Sequence, residues 1–446
     1  MNIRVRIKFI FYITAVLVMV LSPNIFAAEE YALEDLYRIA LEKAERIKIS
    51  EEDLFIAERG KDKALSALLP TLSAFGEYKR YSEKKESNTP VGSFITQPEK
   101  SSSWGLRLDQ SLSLGGREIT SLKISKSGIE SGRYNLYAIK EDYLLNVSSA
   151  YFDVLKAAKA VEIVKANLER LSKHRDASNA RLKAGEATKT VVLRAEAELS
   201  GARSDMLKSG NGLRLAKAVL ARIAGINGEY SIREPMDNSR YTTGIEDNQS
   251  FESFKETALN ERAEIKSNSI KKKIAEDQVK YAKGSFMPTL SVAGVYLKMD
   301  EDPSSSFSNT KSVYGTLSLN FPFFEGGLRR AEVREALSKK RQAEFAFEDL
   351  KKTINIDVEN ACLDVKTQAG ILKSLEDQLT FAKDNYNAVS KQFEYGLANS
   401  IDVMDANTLL VTSERQLSEA KYNHQLAILK LKRATGTLLT TVNSKQ

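Results

Sequence analysis

The feature that most constrains this chain is a spacing. Gly116 and Gly327, Gly185 and Gly396, and Gly225 and Gly436 are each 211 positions apart by direct subtraction of residue numbers. Asp153-Val154 falls on Asp364-Val365 at the same offset. A registration held without net insertion over roughly 110 residues marks one structural unit present twice. Length alone, 446 residues, would suggest about three ordinary domains. The repeat replaces that expectation with a first copy over 29–230, a linker over 231–250 and a second copy over 251–446.

Each copy reads helix, strand, strand, long helix, long helix. Leu33, Leu36, Ile39 and Ala40, then Leu54, Ala57 and Ala64, recur at helical spacing, so a helix is expected from Tyr31 to about Leu69. Pro70 ends it, because proline lacks an N–H and disfavours the α region in the residue before it. The period then changes to two. Leu72, Ala74 and Tyr78 oppose Ser73 and Glu77; Trp104, Leu106, Leu108, Leu112 and Leu114 alternate with Ser103, Arg107, Asp109, Ser111 and Ser113. Such stretches of about 10 residues suit strands of a water-filled membrane barrel, and equally half-buried strands of a soluble sheet. Between them Arg80–Ser102, rich in Ser, Glu, Lys and Pro, reads as an exposed loop. After Gly115-Gly116 a proline-free helical pattern runs to about Ala184, roughly 68 residues or about 100 Å. Gly185 marks a turn, and a second helix ends at Gly225.

The second half replays this order. Phe251–Phe286 is helical in pattern, and Met287-Pro288-Thr289-Leu290-Ser291 repeats Leu69-Pro70-Thr71-Leu72-Ser73. A strand to Lys298, a polar loop at Met299–Lys311 and a second alternating strand to Phe321 follow. Gly326-Gly327 then opens a helix to Gly396 and another to about Thr435. Strands and their loops are thus expected within 71–114 and 289–321, with helices elsewhere.

The N-terminus has the form of an export signal over 1–28: Arg4, Arg6 and Lys8, an apolar Phe9–Leu21, a break at Pro23-Asn24, and small residues for cleavage after Ala27 or Ala28. That apolar run is shorter than the roughly 20 residues a membrane helix needs. One cysteine, Cys362, excludes an intrachain disulfide and a cysteine metal cluster. Two histidines, His174 and His424, speak against His-rich zinc sites and a Ser-His-Asp triad, and both read as surface or packing residues. No enzymatic constellation, cofactor motif or metal site is expected. The net charge of +7 is spread along amphipathic helices, so it reads as a solvated helical surface and not as a nucleic-acid patch.

Two strands per copy make four, too few to close a barrel, for which about eight is the minimum seen. An open edge in a bilayer leaves backbone groups unpaired. Membrane-embedded strands would therefore require several copies, with the polar helices in water on the periplasmic side. Phe75, Tyr78, Tyr81, Trp104 and Tyr296 are candidates for an interfacial girdle.

The stretch Phe321-Pro322-Phe323-Phe324-Glu325-Gly326-Gly327, the tip from Gly396 through Asp402-Val403-Met404-Asp405-Ala406, and the closing Leu431-Lys432-Arg433-Ala434-Thr435-Gly436 resemble the TolC family of outer-membrane efflux proteins. The resemblance covers essentially the whole chain after the signal. It implies a mainly α fold with a small β part, a homotrimer with a 12-stranded outer-membrane β-barrel in outer-membrane lipid, and a periplasmic α-helical barrel continuing it. It also implies docking onto a periplasmic adaptor (membrane fusion) protein and an inner-membrane pump. Asp402 and Asp405, three residues apart on one helix face, match the family's pore-constriction carboxylates. Three copies would form two acidic rings, which favour cations. The alternative for Asp402 is a helix-start role, where acids are favoured anyway. The twin tip has Val191 and Arg194 in place of the aspartates. Some members hold the entrance shut with an arginine two residues after the second-tip glycine and an aspartate six after the first; here Ala398 and Val191 stand there. Arg181 with Gly185, and Gln392 or Phe393 with Gly396, mark the tips expected to contact the adaptor. The reading is an exit duct passing small molecules or secreted protein; the alternative is a periplasmic coiled-coil scaffold without a pore.

Overall fold

The structure, a computed structural model, describes residues 29–235, 251–305 and 309–443. The expected signal at 1–28 and residues 236–250 of the expected linker lie outside the described residues.

The chain is mainly helical. A short strand β1 (Glu29–Tyr31) leads into α1 (Leu33–Lys43) and α2 (Glu45–Ser66). Then come β2 (Thr71–Arg80), β3 (Lys85–Thr89), β4 (Gly92–Gln97), β5 (Lys100–Ser113), α3 (Arg117–Lys183), α4 (Lys189–Ala224) and β6 (Tyr230–Ile232). The later elements are α5 (Phe251–Glu261), α6 (Ala263–Gly284), β7 (Thr289–Asp302), β8 (Lys311–Asn320), α7 (Leu328–Glu394), α8 (Ser400–Ala434) and a short α9 (Leu438–Asn443). The helices α3 and α7 each hold 67 residues.

Five expectations need correction. The helix expected from Tyr31 to Leu69 breaks at Ala44, at φ −63° and ψ 124°, and the helix expected over 251–286 breaks at Arg262, at φ −59° and ψ 125°. Neither break has a proline or glycine to announce it. The Arg80–Ser102 loop contains the β3–β4 hairpin. The second copy's strand does not stop at Lys298: β7 runs to Asp302, because β5 offers partners as far as Lys100. The stretch expected to be linker begins with β6, which pairs in parallel with β1.

The four-stranded sheet has the order β2-β5-β7-β8, antiparallel throughout. Its register settles which residues share a face, since directly opposed residues point the same way. Leu72 opposes Leu108, Ala74 opposes Leu106 and Gly76 opposes Trp104. Leu106 opposes Tyr296 and Leu112 opposes Leu290. Leu290, Val292 and Tyr296 oppose Leu319, Leu317 and Val313. One face is therefore apolar across all four strands. The other carries Ser73, Glu77, Arg107, Asp109, Ser111, Ser291, Thr316 and Ser318, and is interrupted on β7 by Ala293, Val295, Leu297 and Met299. Leu317 and Val313 are about three-quarters exposed, so nothing among the described residues covers the apolar face there. Among the described residues both outer strands, β2 and β8, have an unpaired edge. Of the girdle candidates, Tyr78, Trp104 and Tyr296 share the apolar face, and the Trp104 and Tyr296 rings lie 5.8 Å apart. Phe75 is on the polar face: its ring fills the space over Gly105, where a Cβ would come within 2.8 Å of it.

The described residues form two compact units. One takes 29–42, 147–235 and 379–422; the other takes 43–146, 251–305, 309–378 and 423–443. Each unit draws on both halves of the chain. The first buries Leu33, Leu36 and Tyr37 of α1 with Tyr151 and Phe152 of α3 and Leu220 of α4. The second, which holds the sheet, buries Ile354, Val358, Ala427, Ile428 and Leu431, with the half-buried Cys362 packed against them.

The second unit also holds a buried charge cluster. Arg433 Nε donates to Asp142 Oδ1 at 2.7 Å and its Nη2 to Glu264 Oε1 at 2.5 Å. Its Nη1 lies 3.6 Å from Glu141 Oε2. Arg262, at the helix break, donates to Glu264 at 3.0 Å and to Asp357 at 3.0 Å. Gly436, at φ +74°, lies so close to Arg262 that a Cβ there would come within 2.9 Å of its backbone. The closing Arg433–Gly436 stretch therefore locks onto the break between α5 and α6.

Candidate functional site

Both helical hairpin tips lie in the first unit. At one, α7 ends at Glu394 and Gly396 takes φ +77°. Gly396 N donates to Phe393 O at 3.1 Å and Leu397 N to Gln392 O at 2.8 Å. At the other, Gly185 also takes φ +77°, Gly185 N donates to Leu182 O at 3.1 Å, and Glu186 N to Arg181 O at 2.9 Å. Both are helix ends closed by a left-handed residue, a conformation that strains any side chain with a Cβ. The glycines are turn residues first.

The helices leaving the two turns start differently. Asn399 Oδ1 accepts from Ile401 N at 2.8 Å and Asp402 N at 3.0 Å, while Asn399 N donates to Asp402 Oδ2 at 3.1 Å. This is a reciprocal cap of the helix start. Thr188, before α4, makes no side-chain cap. One oxygen of Asp402 thus has the capping role that its position favours. Its charge is still free to act outward, because Asp402 and Asp405 are both exposed while Val403, Met404, Ala406 and Asn407 are buried. Helix α8 presents the two carboxylates together on its solvent face. Among the described residues neither stands in an ion pair.

Arg181, Phe393 and Gly396 come together. The Arg181 guanidinium lies over the Phe393 ring, 4.4 Å from its centroid, and donates to Glu394 O at 3.2 Å. Its Nη2 lies 3.9 Å from where a Gly396 Cβ would be. Gly185 and Gln392 enter only through their own turns. Val191 and Ala398 make no polar link, and the two tips are joined instead by this arginine on an aromatic ring.

Sequence reasoning missed the residues behind the tip. His174, expected at the surface or in packing, is buried, with its ring 4.9 Å from that of Phe393 and Nε2 2.9 Å from Ser400 Oγ. Burial, and then the nearby Arg181 charge, hold its pKa below the ordinary histidine value. Further along, Arg170 donates to Asn407 Oδ1 at 3.1 Å and Glu414 Oε2 at 3.1 Å, and Asn407 donates to Asn167 at 2.8 Å. Asn167, Arg170, His174 and Arg181 follow at intervals of three, four and seven, a polar stripe on one side of α3. That spacing was the available signal, since polar residues on the side of a helix that packs must be partnered.

In this chain an amphipathic sheet with two open edges is joined to long polar helical hairpins. The outer membrane efflux protein family matches residues 36–226 and 255–437, and the chain belongs to that family. It is similar to the outer membrane protein TolC of Vibrio cholerae, 26% identical over 312 residues, covering 68% of this chain and 69% of that protein. It is also similar to TolC of Escherichia coli K12, 23% identical over 398 residues, covering 84% and 76%. Its fold is that of the solved structure of CusC, with a TM-score of 0.80, 16% identity, and 92% and 93% of the two chains covered. The protein is an outer-membrane exit duct with a periplasmic helical part; the pore-free scaffold is set aside. No helix among the described residues is long and apolar enough to cross a membrane.

Proposed function

We propose that three copies of this chain close one duct, a 12-stranded β-barrel in the outer membrane continued by a periplasmic helical barrel. The observation that carries this is the four-stranded sheet, apolar on one face and largely polar on the other, with both edges open among the described residues. Hydrocarbon forbids an unpaired edge, so β8 of one copy must pair with β2 of the next. Three such sheets give 12 strands, above the minimum that can close. The apolar faces then meet lipid and the polar faces line water. Each copy contributes two versions of one unit, 29–230 and 251–446, following an export signal at 1–28.

At the hairpin tips the three copies of Asp402 and of Asp405 form two acidic rings that select cations and narrow the entrance. The tip turns, with Arg181 and Gly185 on one hairpin and Phe393 and Gly396 on the other, are the contact points for a periplasmic adaptor, which links the duct to an inner-membrane pump. The duct passes its cargo without chemistry of its own, so no catalytic group or cofactor enters the proposal.

The test is the mass of the detergent-extracted protein by native mass spectrometry. Three chains per particle is the expected result. A monomer, or release from membranes by salt alone, would contradict it.

A further inference from the structure

Within the chain α3 packs against α8. Arg170 of α3 pairs with Glu414 of α8 at 3.1 Å, and His174 Nε2 lies 2.9 Å from Ser400 Oγ. The repeat maps this contact onto a second one. Moved forward by 211 positions, Arg170 and His174 become Phe381 and Asn385 of α7. Moved back by 211, Glu414, Ser400 and Met404 become Arg203, Lys189 and Leu193 of α4. In this second set the side chains stand open. Phe381 is 72% exposed, and Leu193 is 52% exposed where Met404 is 5%. Asn385, Lys189 and Arg203 are exposed as well. The chemistry still matches: an arginine of α4 would meet a phenylalanine ring of α7 where Arg170 meets a glutamate. A unit present twice that makes a contact once, and leaves its equivalent uncovered, has room there for another copy of itself. A head-to-tail contact of this kind closes into a ring. In such a ring the starts of α4 and α8 alternate around the entrance.

At that entrance the repeat sets opposite charges at equivalent positions. By subtraction, Arg194 is nine residues after Gly185 and Asp405 nine after Gly396. Val192 and Ala195 are buried beside Arg194, as Val403 and Ala406 are beside Asp405, so the two charges leave their helices on the same side. Both are exposed, and among the described residues neither stands in an ion pair. Six residues after the glycines the match is Val191 and Asp402, an apolar residue against an acid. Arg194 gains nothing from its own helix. A cation near a helix start opposes the macrodipole, and the first turn of α4 has no acid to offset it.

We infer that Arg194 of one copy pairs with Asp405 of the next. The ring at that level then alternates arginine and aspartate, and attraction between neighbouring copies holds the entrance narrow. The Asp402 ring, opposed only by Val191, keeps the net negative charge that favours cations. This rests on the three-copy duct proposed above, and it divides the work of the two aspartates: Asp405 closes and Asp402 selects.

The experiment measures single-channel conductance of the full-length protein in a planar bilayer, with the chains per particle of each variant counted by native mass spectrometry. Arg194→Asp fills the ring with like charge, and so does Asp405→Arg; each should raise conductance several-fold over wild type. The exchange, Arg194→Asp with Asp405→Arg, restores the alternation and should return conductance to the wild-type size. Single variants that conduct like wild type, or an exchange that conducts like the single variants, overturn the pairing. Should a reversal fail to assemble, Arg194→Cys with Asp405→Cys in a Cys362→Ser background decides. Oxidation to bands of two and three chains is expected, and oxidised monomer alone, or no reaction, overturns the pairing. A wild-type particle of one chain, or a trimer without a pore, overturns the duct itself, and the pairing with it.

Discussion

Arg181 and Phe393 stand on the two hairpin tips, 212 positions apart by subtraction, yet they meet: the guanidinium caps the ring at 4.4 Å and donates to the carbonyl of the next residue, Glu394. One side chain thereby holds the end of α7 from the end of α3. A cation over an aromatic face contributes about 0.5–1 kcal/mol at a partly exposed site. Arg181→Ala should therefore raise amide exchange across 390–400 several-fold, and Phe393→Ala more so, because it also removes the buried ring that packs on His174. Arg181→Lys should fall between, since lysine keeps the charge and loses the planar fork. Equal exchange in all three variants would deny this contact a role in ordering the tip.

His174 makes the same region sensitive to acid. Its pKa is depressed by burial and by Arg181, so the folded state binds the proton less readily than the unfolded chain. The associated stability is fully present above the ordinary value of 6.5 and is lost as pH falls through the lower folded value. Protection of the tip amides, corrected for the intrinsic pH dependence of exchange, should fall in the wild type as pH drops from 7 toward 5, and His174→Gln should flatten that dependence. An unchanged slope in the variant would assign it to other groups.

The Arg433 cluster predicts an acid limb of its own. Burial alone would raise the Glu264 pKa, but hydrogen bonding from Arg262 and the charge of Arg433 outweigh it and hold the carboxyl at about 2. Its stabilisation is present above 4.5 and is lost as pH falls from there toward 2. Glu141 moves the other way: burial raises its pKa against the pull of Arg433, so its ionisation costs stability as pH rises. Arg433→Met should cost about 3–5 kcal/mol, because it strands buried carboxylates without their cation. Heat-dissociation midpoints against pH check both. A mild Arg433→Met effect at neutral pH would mean water replaces the guanidinium.

Pairing of β8 with β2 of another copy predicts a specific cross-link. Thr289 opposes Asn320 at the helix end of the sheet, and Thr71 lies at the same end of β2. In a Cys362→Ser background, Leu319→Cys with Leu72→Cys, both on the apolar face, should oxidise to dimer and trimer bands. The same cysteines on β5 and β8, which are not neighbours, should not. A trimer that resists cross-linking with register neighbours tested on both sides would exclude this edge pairing.

Much of this was legible in the residues. Prolines 70 and 288 end helices, and paired glycines open α3 and α7, because these residues act on the backbone directly. The alternation in Leu106–Ser113 gave the correct face for each side chain. The breaks at Ala44 and Arg262 were hidden, since neither residue type disfavours a helix. Their spacing of 218, by subtraction, equals that of Pro70 and Pro288, so the repeat held the clue. The β3–β4 hairpin was hidden for another reason: β3 is polar and exposed throughout, and the apolar residues of β4, Phe94 and Ile95, stand side by side without alternation. At the tip, the glycines and aspartates stood out as residue types. His174 did not, because its role depends on Phe393 and Ser400, more than 200 positions away.

The most direct measurement of the central claim is single-channel conductance in a planar bilayer, wild type against Asp402→Asn with Asp405→Asn. Asparagine removes both charges and keeps an acceptor for the Asn399 N–H that Asp402 caps. The wild type should show a small, cation-selective conductance blocked by multivalent cations, with selectivity and block both weakened in the double variant. A wild-type pore whose selectivity and block are untouched by the two substitutions would contradict the acidic constriction, and a folded trimer with no conductance would contradict the duct.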